Sequence, residues 1–213
     1  KKMKFSFFLA TFSISMLLLL PACASQAETA AEHYIDGLAF IEEGHYRQAI
    51  EEFDQVIELY PNDPAAFFKR GFSHSELGQH QLAIMDYDKA IELDPKDAVA
   101  YSNRGTSFDE LGLNQLAIMD YDKAIELDPN DAAAYNNRGN SYGNLDQLHR
   151  AINDYDEAIR LDPRFALAYS NRALAYTYLD RDDDARMDIE MGTEFGLDPG
   201  PILAKLAEVR NTR

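Results

Sequence analysis

Asn103, Asn137 and Asn171 recur at one constant interval. A carboxamide offers both hydrogen-bond donors and an acceptor, so a row of them can pair with the backbone of a peptide of any sequence. Lys69 takes the equivalent place one interval earlier and Ile35 the place before that. On a helix, Asn137, Asn140 and Asn144 fall at i, i+3 and i+7 and form one polar stripe. Beside this row run Arg70, Arg104, Arg138 and Arg172, each followed at a fixed spacing by an aspartate: Asp86, Asp120, Asp154 and Asp188. One position along a helix is a different face, so these pairs read as ion pairs that orient neighbouring helices, worth little where exposed. The first interval lacks the arginine and carries Asp36 and Glu52 in the two places. Reaction chemistry finds no comparable pattern. His33, His45, His74, His80 and His149 show no metal-ligand spacing. Neither a glycine-rich phosphate loop nor a G-x-S-x-G turn occurs. Asp180, Asp182 and Asp184 begin like a calcium loop, but Ala185 stands where that loop needs glycine and Met191 where it needs the closing glutamate. No catalytic residue, metal ligand or cofactor is expected.

The elements that must position these residues repeat at the same interval. Pro61, Pro95, Pro129 and Pro163 share it, and the segment from Gln81 to Pro95 is identical to that from Gln115 to Pro129. Aligned on the prolines, one column reads Gly37, Gly71, Gly105, Gly139 and Ala173, and another reads Ala49, Ala83, Ala117, Ala151 and Ala185. A third reads Phe53, Tyr87, Tyr121 and Tyr155, broken by Ile189 in the last unit. Small residues in register let two antiparallel helices approach, as Gly105 against Ala117. Large ones fill the gaps between units, with Tyr101, Tyr135 and Tyr169 expected near Tyr121 and Tyr155. Proline ends each second helix because it cannot continue the hydrogen-bond ladder. Leu77-Gly78 and Leu111-Gly112 mark the turn inside a hairpin. These columns, and their period of about 34 residues, resemble the tetratricopeptide repeat (TPR) family. The resemblance covers about Ala31 to Pro199. It implies an all-α, right-handed solenoid of about five helical hairpins, with units near 31–63, 65–97, 99–131, 133–165 and 167–198. The chain departs from the family in lacking the tryptophan near each start, where His33, Phe67, Tyr101, Tyr135 and Tyr169 stand. It departs also in a degenerate last unit, with Gly192 and Leu197 in the alanine and proline columns. Beyond Asp198, the spacing of Ile202, Leu203, Leu206 and Val209 describes an amphipathic capping helix over 199–213, which a solenoid needs to cover its last apolar face.

In such arrays the first helix of each hairpin lines a concave groove. The row Asn103, Asn137 and Asn171 there resembles the asparagine ladder of the O-linked N-acetylglucosamine transferase superhelix, in which each amide grips the backbone of an extended peptide. Asn140 and Asn144 extend the expected contact surface in the fourth unit and Lys69 in the second. The alternative is that repeat copying preserved an indifferent exposed asparagine. A clamp for a terminal carboxylate, as in chaperone-binding members, is not expected, since only Lys69 stands in the ladder column.

The beginning of the chain carries a different signal. Lys1, Lys2 and Lys4 precede a mostly apolar run from Phe5 to Leu20, short for a membrane span and of signal-peptide length. It ends in Leu20-Pro21-Ala22-Cys23, which resembles the bacterial lipobox, and Cys23 is the only cysteine of the chain. Residues 1–22 read as a signal peptide, Cys23 as the lipidated residue and 23–30 as a linker. Ala22-Cys23-Ala24 also fits ordinary signal cleavage, which would give a secreted or periplasmic protein. Lipid on Cys23 would tether the folded part to a membrane without embedding it, and Ala24 in place of aspartate implies the outer membrane. The formal charge of −17 disfavours nucleic acid and anionic lipid as partners of the folded part and suits a neutral or basic polypeptide. A solvated acidic surface explains the charge equally. The sequence therefore points to a non-enzymatic adaptor or scaffold that binds a protein or peptide. A regulatory or assembly subunit of an envelope enzyme or secretion machine, and a self-assembling structural protein that forms homodimers, are the alternatives.

Overall fold

The computed structural model describes residues 10–211, with side chains from Ser25 onward. The leader lysines, the early part of the apolar run and the Cys23 side chain lie outside the described residues. The described helices follow one another in chain order: α1 (Ala10–Glu42), α2 (Tyr46–Leu59), α3 (Pro64–Glu76), α4 (His80–Leu93), α5 (Ala98–Glu110), α6 (Asn114–Leu127), α7 (Ala132–Asn144), α8 (Leu148–Leu161), α9 (Ala166–Tyr178), α10 (Asp182–Glu194) and α11 (Pro199–Asn211). No strand occurs among the described residues. Consecutive helices pair into hairpins, α1 with α2 through α9 with α10, and each hairpin packs only on its neighbours. The first helices α1, α3, α5, α7 and α9 touch one another in series, which lays them side by side along one face. The segment 23–30, expected as a linker, is helical and continues into the first hairpin as part of α1. No helix of the described residues is long and apolar enough to cross a membrane.

Local chemistry explains where the helices start and stop. The side chains of Asp63, Asp97 and Asp131 accept hydrogen bonds from the backbone N–H groups of Ala65, of Val99 and Ala100, and of Ala133 and Ala134, satisfying donors that a helix start leaves open. Phe165 stands in that place before α9 and gives no such cap. Inside the hairpins the chain turns through positive φ at Gly44, Gly78 and Gly112, and at Asp146 and Asp180 in the last two units. Asp180 is therefore a turn residue. Among the described residues no group of three His, Cys, Asp or Glu side chains is placed to hold a metal ion.

The core runs the length of the array between the two helix layers. Ala49, Ala83, Ala117, Ala151 and Ala185 are buried, as are Phe53, Tyr87, Tyr121 and Tyr155. The glycine column makes room for these rings, and at Gly71 for the backbone of Ala83 as well, whose carbonyl oxygen an added Cβ would meet at 3.2 Å. A Cβ on Gly105 would lie 2.9 Å from the Tyr121 ring, one on Gly139 2.6 Å from Tyr155, and one on Gly37 2.8 Å from Phe53. Contact that close is repulsive, so the glycines are required against the aromatic column, a partner that the columns did not predict. Ring pairs form at Tyr34–Phe53, Phe68–Tyr87 and Tyr169–Phe195, while Tyr101 and Tyr135 lie under the guanidinium groups of Arg104 and Arg138, each 5.5 Å from the ring centroid. The array ends where α11 packs on α9 and α10, burying Ile202, Leu206 and Val209.

Candidate functional site

Each arginine of the repeated row makes the ion pair expected with the following aspartate of its column. Arg104 donates through Nε and Nη2 to the two carboxylate oxygens of Asp120, at 2.7 Å each, and Arg138 does the same to Asp154 at 2.8 and 2.7 Å. Arg70 and Arg172 repeat the fork on Asp86 and Asp188. A second partner was not expected. Nη1 of each arginine reaches back to the preceding hairpin, to Asp54, Asp88, Asp122 or Asp156. Burial alone would lower the guanidinium pKa, but the hydrogen bonds and charges of Asp120 and Asp88 outweigh it and raise that of Arg104. The arginine is thus locked in its charged form and ties two hairpins together. In the first unit, which lacks the arginine, His33 Nδ1 and Glu52 lie 2.6 Å apart.

The asparagines lie on the other face of the same helices. Asn137, Asn140 and Asn144 of α7 line one polar cleft together with Thr106, Asp109 and Glu110 of α5 and Tyr121 of α6. Asn140 and Asn144 also line the adjoining cleft, with Asn171, Leu174 and Tyr178 of α9 and Lys205 of α11. Two clefts sharing these asparagines form a continuous trough across α5, α7, α9 and the cap, polar at the α5 end and more apolar towards α9, where Leu148, Leu174 and Ala175 join its lining. Asn103 and Lys69 are half-buried on α5 and α3 and line neither cleft. Asn103 Nδ2 donates to Val99 O of its own helix at 2.8 Å. Asn171 Nδ2 donates to Asn136 Oδ1 at 2.9 Å, and Asn136 Nδ2 to Asn137 Oδ1 at 3.2 Å. The buried Asn136, absent from the sequence expectations, thereby links two rungs of the ladder. Its signal was the Asn136-Asn137 doublet, where other units have Ser102-Asn103 and Ser170-Asn171. The amide nitrogens of Asn137 and Asn140 have no partner among the described residues. Asn140 Oδ1 accepts from Tyr155 Oη at 2.8 Å, and Asn144 Nδ2 donates to Asn114 at 3.3 Å. A row of exposed apolar side chains, Val99 and Leu167 among them, lies one turn before the ladder, with Ile35 exposed in the ladder column itself.

Asp109 is the functional candidate that the sequence did not disclose. Both of its oxygens accept from Ser141 Oγ, at 2.9 and 2.7 Å, and Oδ2 also accepts from Tyr121 Oη at 3.2 Å. Desolvation raises its pKa, opposed by the hydrogen bonds of Ser141 and Tyr121. Burial and the charge of Asp109 raise the phenol pKa of Tyr121, so the tyrosine stays protonated and keeps donating. No repeat column points to this residue, because the equivalent places hold Ile41, Ser75, Gly143 and Thr177.

A model described as tetratricopeptide repeat matches residues 64–97 and 132–165, another of that description matches 86–119, and one described as TPR repeat matches 37–78 and 108–146. No curated protein sequence matches the chain. Among solved structures, a MamA protein is 27% identical over 79% of this chain and 92% of its own, with a TM-score of 0.71. YrrB, described as a TPR protein with an unusual peptide-binding site, is 21% identical over 89% of this chain and 96% of its own, with a TM-score of 0.70. PilF of Pseudomonas aeruginosa is 20% identical over 88% of each chain, with a TM-score of 0.74. The repeat models follow one another without a gap from residue 37 to 165, and the matches at 64–97 and 132–165 coincide with the α3–α4 and α7–α8 hairpins. The chain belongs to the tetratricopeptide repeat family, whose arrays are protein-interaction scaffolds.

Proposed function

We propose that this protein is a lipid-anchored adaptor of the bacterial envelope that holds a partner protein, through an extended segment, in the trough lined by α5, α7 and α9. The observation that carries the reading is the run of side-chain amides along that trough, Asn137, Asn140, Asn144 and Asn171, two of them with unspent donors. An extended peptide leaves its own N–H and C=O groups open, and amides at repeat spacing can pair with them whatever its side chains are. Exposed Val99, Leu167 and Ile35 beside the amides offer apolar contact to alternate side chains. The likeness to YrrB, described as having a peptide-binding site, supports the same reading. The test uses a partner isolated from detergent-solubilised envelopes and the variant Asn103→Ala/Asn137→Ala/Asn171→Ala. A melt of the variant must accompany the titration, because alanine gains roughly several tenths of a kcal/mol of helix propensity at each site while the buried Asn136 loses its hydrogen bonds to Asn137 and Asn171. Binding should fall by about 1 kcal/mol for each hydrogen bond lost to a desolvated peptide group, and more than additively if one strand is gripped. Equal affinity in the triple variant would place the binding surface elsewhere.

The anchor rests on Leu20-Pro21-Ala22-Cys23 behind an apolar run, with Ala24 favouring the outer membrane. Labelled palmitate should enter the wild-type protein and not the Cys23→Ser variant, and incorporation that persists in the variant would remove lipidation from the proposal.

Self-association is favoured by one further observation. The helices α4 and α6, identical but for their first residue, expose Leu82, Met85, Leu116 and Met119, where the first and fourth units carry Gln48, Glu51, Arg150 and Asn153. Sedimentation equilibrium separates the two readings: a monomer at micromolar concentration leaves the adaptor without self-assembly.

A further inference from the structure

We infer that the cleft between α5 and α7 receives a guanidinium side chain of the bound segment, with Asp109 and Glu110 as its counter-charges. The inference rests on the peptide-binding reading and adds to it the chemistry of one residue of the partner. Asp109 and Glu110 both line the cleft, and the other side chains around it are neutral: Thr106, Tyr121 and the three asparagines of α7. Neither carboxylate has a cationic partner among the described residues, although the repeated aspartates of the second helices, Asp86, Asp120, Asp154 and Asp188, are each matched with an arginine. Asp109 is instead held by two hydroxyl donors, Ser141 and Tyr121. Those bonds fix its orientation without cancelling its charge.

A half-buried carboxylate held without a counter-ion is costly, and the repeat does not require one there, since the equivalent Ser75, Gly143 and Thr177 serve the other units. What the arrangement provides is a pre-oriented anion beside a second anion, ringed by carboxamide groups, in a chain whose net charge of −17 draws cations. A metal ion is the poorer occupant, because no third carboxylate or imidazole among the described residues is placed with these two. A guanidinium group carries its N–H donors in a planar fork, matching two carboxylates and the amide oxygens around them.

The experiment titrates the folded chain with N-acetyl-arginine amide and with its neutral isostere N-acetyl-citrulline amide. It follows the side-chain amide NMR signals of Asn137, Asn140 and Asn144. The arginine derivative should shift these signals saturably, at least tenfold more tightly than the citrulline derivative. Asp109→Asn and Glu110→Gln should each remove most of that preference while keeping a cooperative melt. Equal response to the two compounds, no saturable response to either, or a preference unchanged in both variants would overturn the inference. Asn103→Ala/Asn171→Ala separates it from the ladder, since neither residue lines this cleft. Loss of partner binding in that variant with no arginine preference in the parent sinks the guanidinium site alone. Arginine preference with partner binding unchanged in that variant sinks the ladder alone.

Discussion

Asp109 is kept at a cost in stability, and that cost is measurable. Its carboxylate is disfavoured by burial, so its pKa in the folded chain lies above the unfolded value. A raised acid pKa means the folded state binds the proton more tightly than the unfolded state does. The penalty is absent below the unfolded pKa, appears as pH rises through the folded one, and is constant above it. Asp109→Asn, which removes the charge and keeps an acceptor for Ser141 and Tyr121, should therefore melt higher than the parent at pH 7 and alike at pH 3. A variant that melts lower at pH 7 would mean that the charged form is what the hydroxyls stabilise. The unit before supplies a natural control. There Ser75 replaces the aspartate, and the buried Tyr87 Oη and Ser107 Oγ, equivalent to the two donors on Asp109, have no partner among the described residues. An unsatisfied buried hydroxyl costs about 1–3 kcal/mol. Ser75→Asn offers both an acceptor without burying a charge, and should stabilise by about 1 kcal/mol in urea titration. No gain would show that the hydroxyls of that unit are satisfied in solution.

Between helices, the arginine row does what hydrophobic packing alone leaves loose: it fixes the angle of one hairpin on the next. Arg138 is held by Asp154 of its own hairpin, which is almost wholly buried, and by Asp122 of the previous one, which is about half exposed. The two halves should differ in energy. Arg138→Ala strands Asp154 without its partner, a loss of about 3 kcal/mol, whereas Asp122→Asn removes a solvent-screened contact worth at most about 1 kcal/mol. Urea midpoints of the two variants decide this, and equal losses would mean that the inter-hairpin bond carries the stability. The intra-hairpin half of this pairing was legible in the sequence, because identical units must solve the same packing problem and so repeat the same residues. The other half had its own column, Asp54, Asp88, Asp122 and Asp156. That spacing alone could not say that one guanidinium spans both neighbours. The hairpins, their turns and the cap were legible for the same reason, as periodic burial. The aromatic partner of the glycines was not, because which side chain enters the gap depends on how far the helices slide. Asp109 and Asn136 escaped because they break their columns, and Asn103 turns its donor onto Val99 by a rotamer choice that no pattern encodes.

At the scale of the whole array, each hairpin packs only on its neighbours, so stability should be close to a sum of unit and interface contributions, and damage at one end should stay there. The cap tests this. Helix α11 buries Ile202, Leu206 and Val209 on α9 and α10, and a fully buried aliphatic side chain contributes about 1.5–3 kcal/mol. That is an upper estimate, because the unfolded chain already hides part of this surface, and ordering the helix takes back a share. The net loss on replacing all three by alanine should still exceed what the last hairpin can absorb alone, since that hairpin has no aspartate cap on α9 and carries aspartate in its positive-φ turn. Amide hydrogen exchange should then accelerate in α9 and α10 and remain unchanged in α3 to α6. Groove function should divide along the same line. Lys205 of α11 shares its cleft with Asn171 and Tyr178, so partner contacts at that end should weaken. The cleft of Asp109, between α5 and α7, should keep its preference for the arginine derivative. Faster exchange spread evenly from α3 to α10 would instead mean that the array opens as one cooperative unit, with the cap stabilising every hairpin and the Asp109 cleft with them.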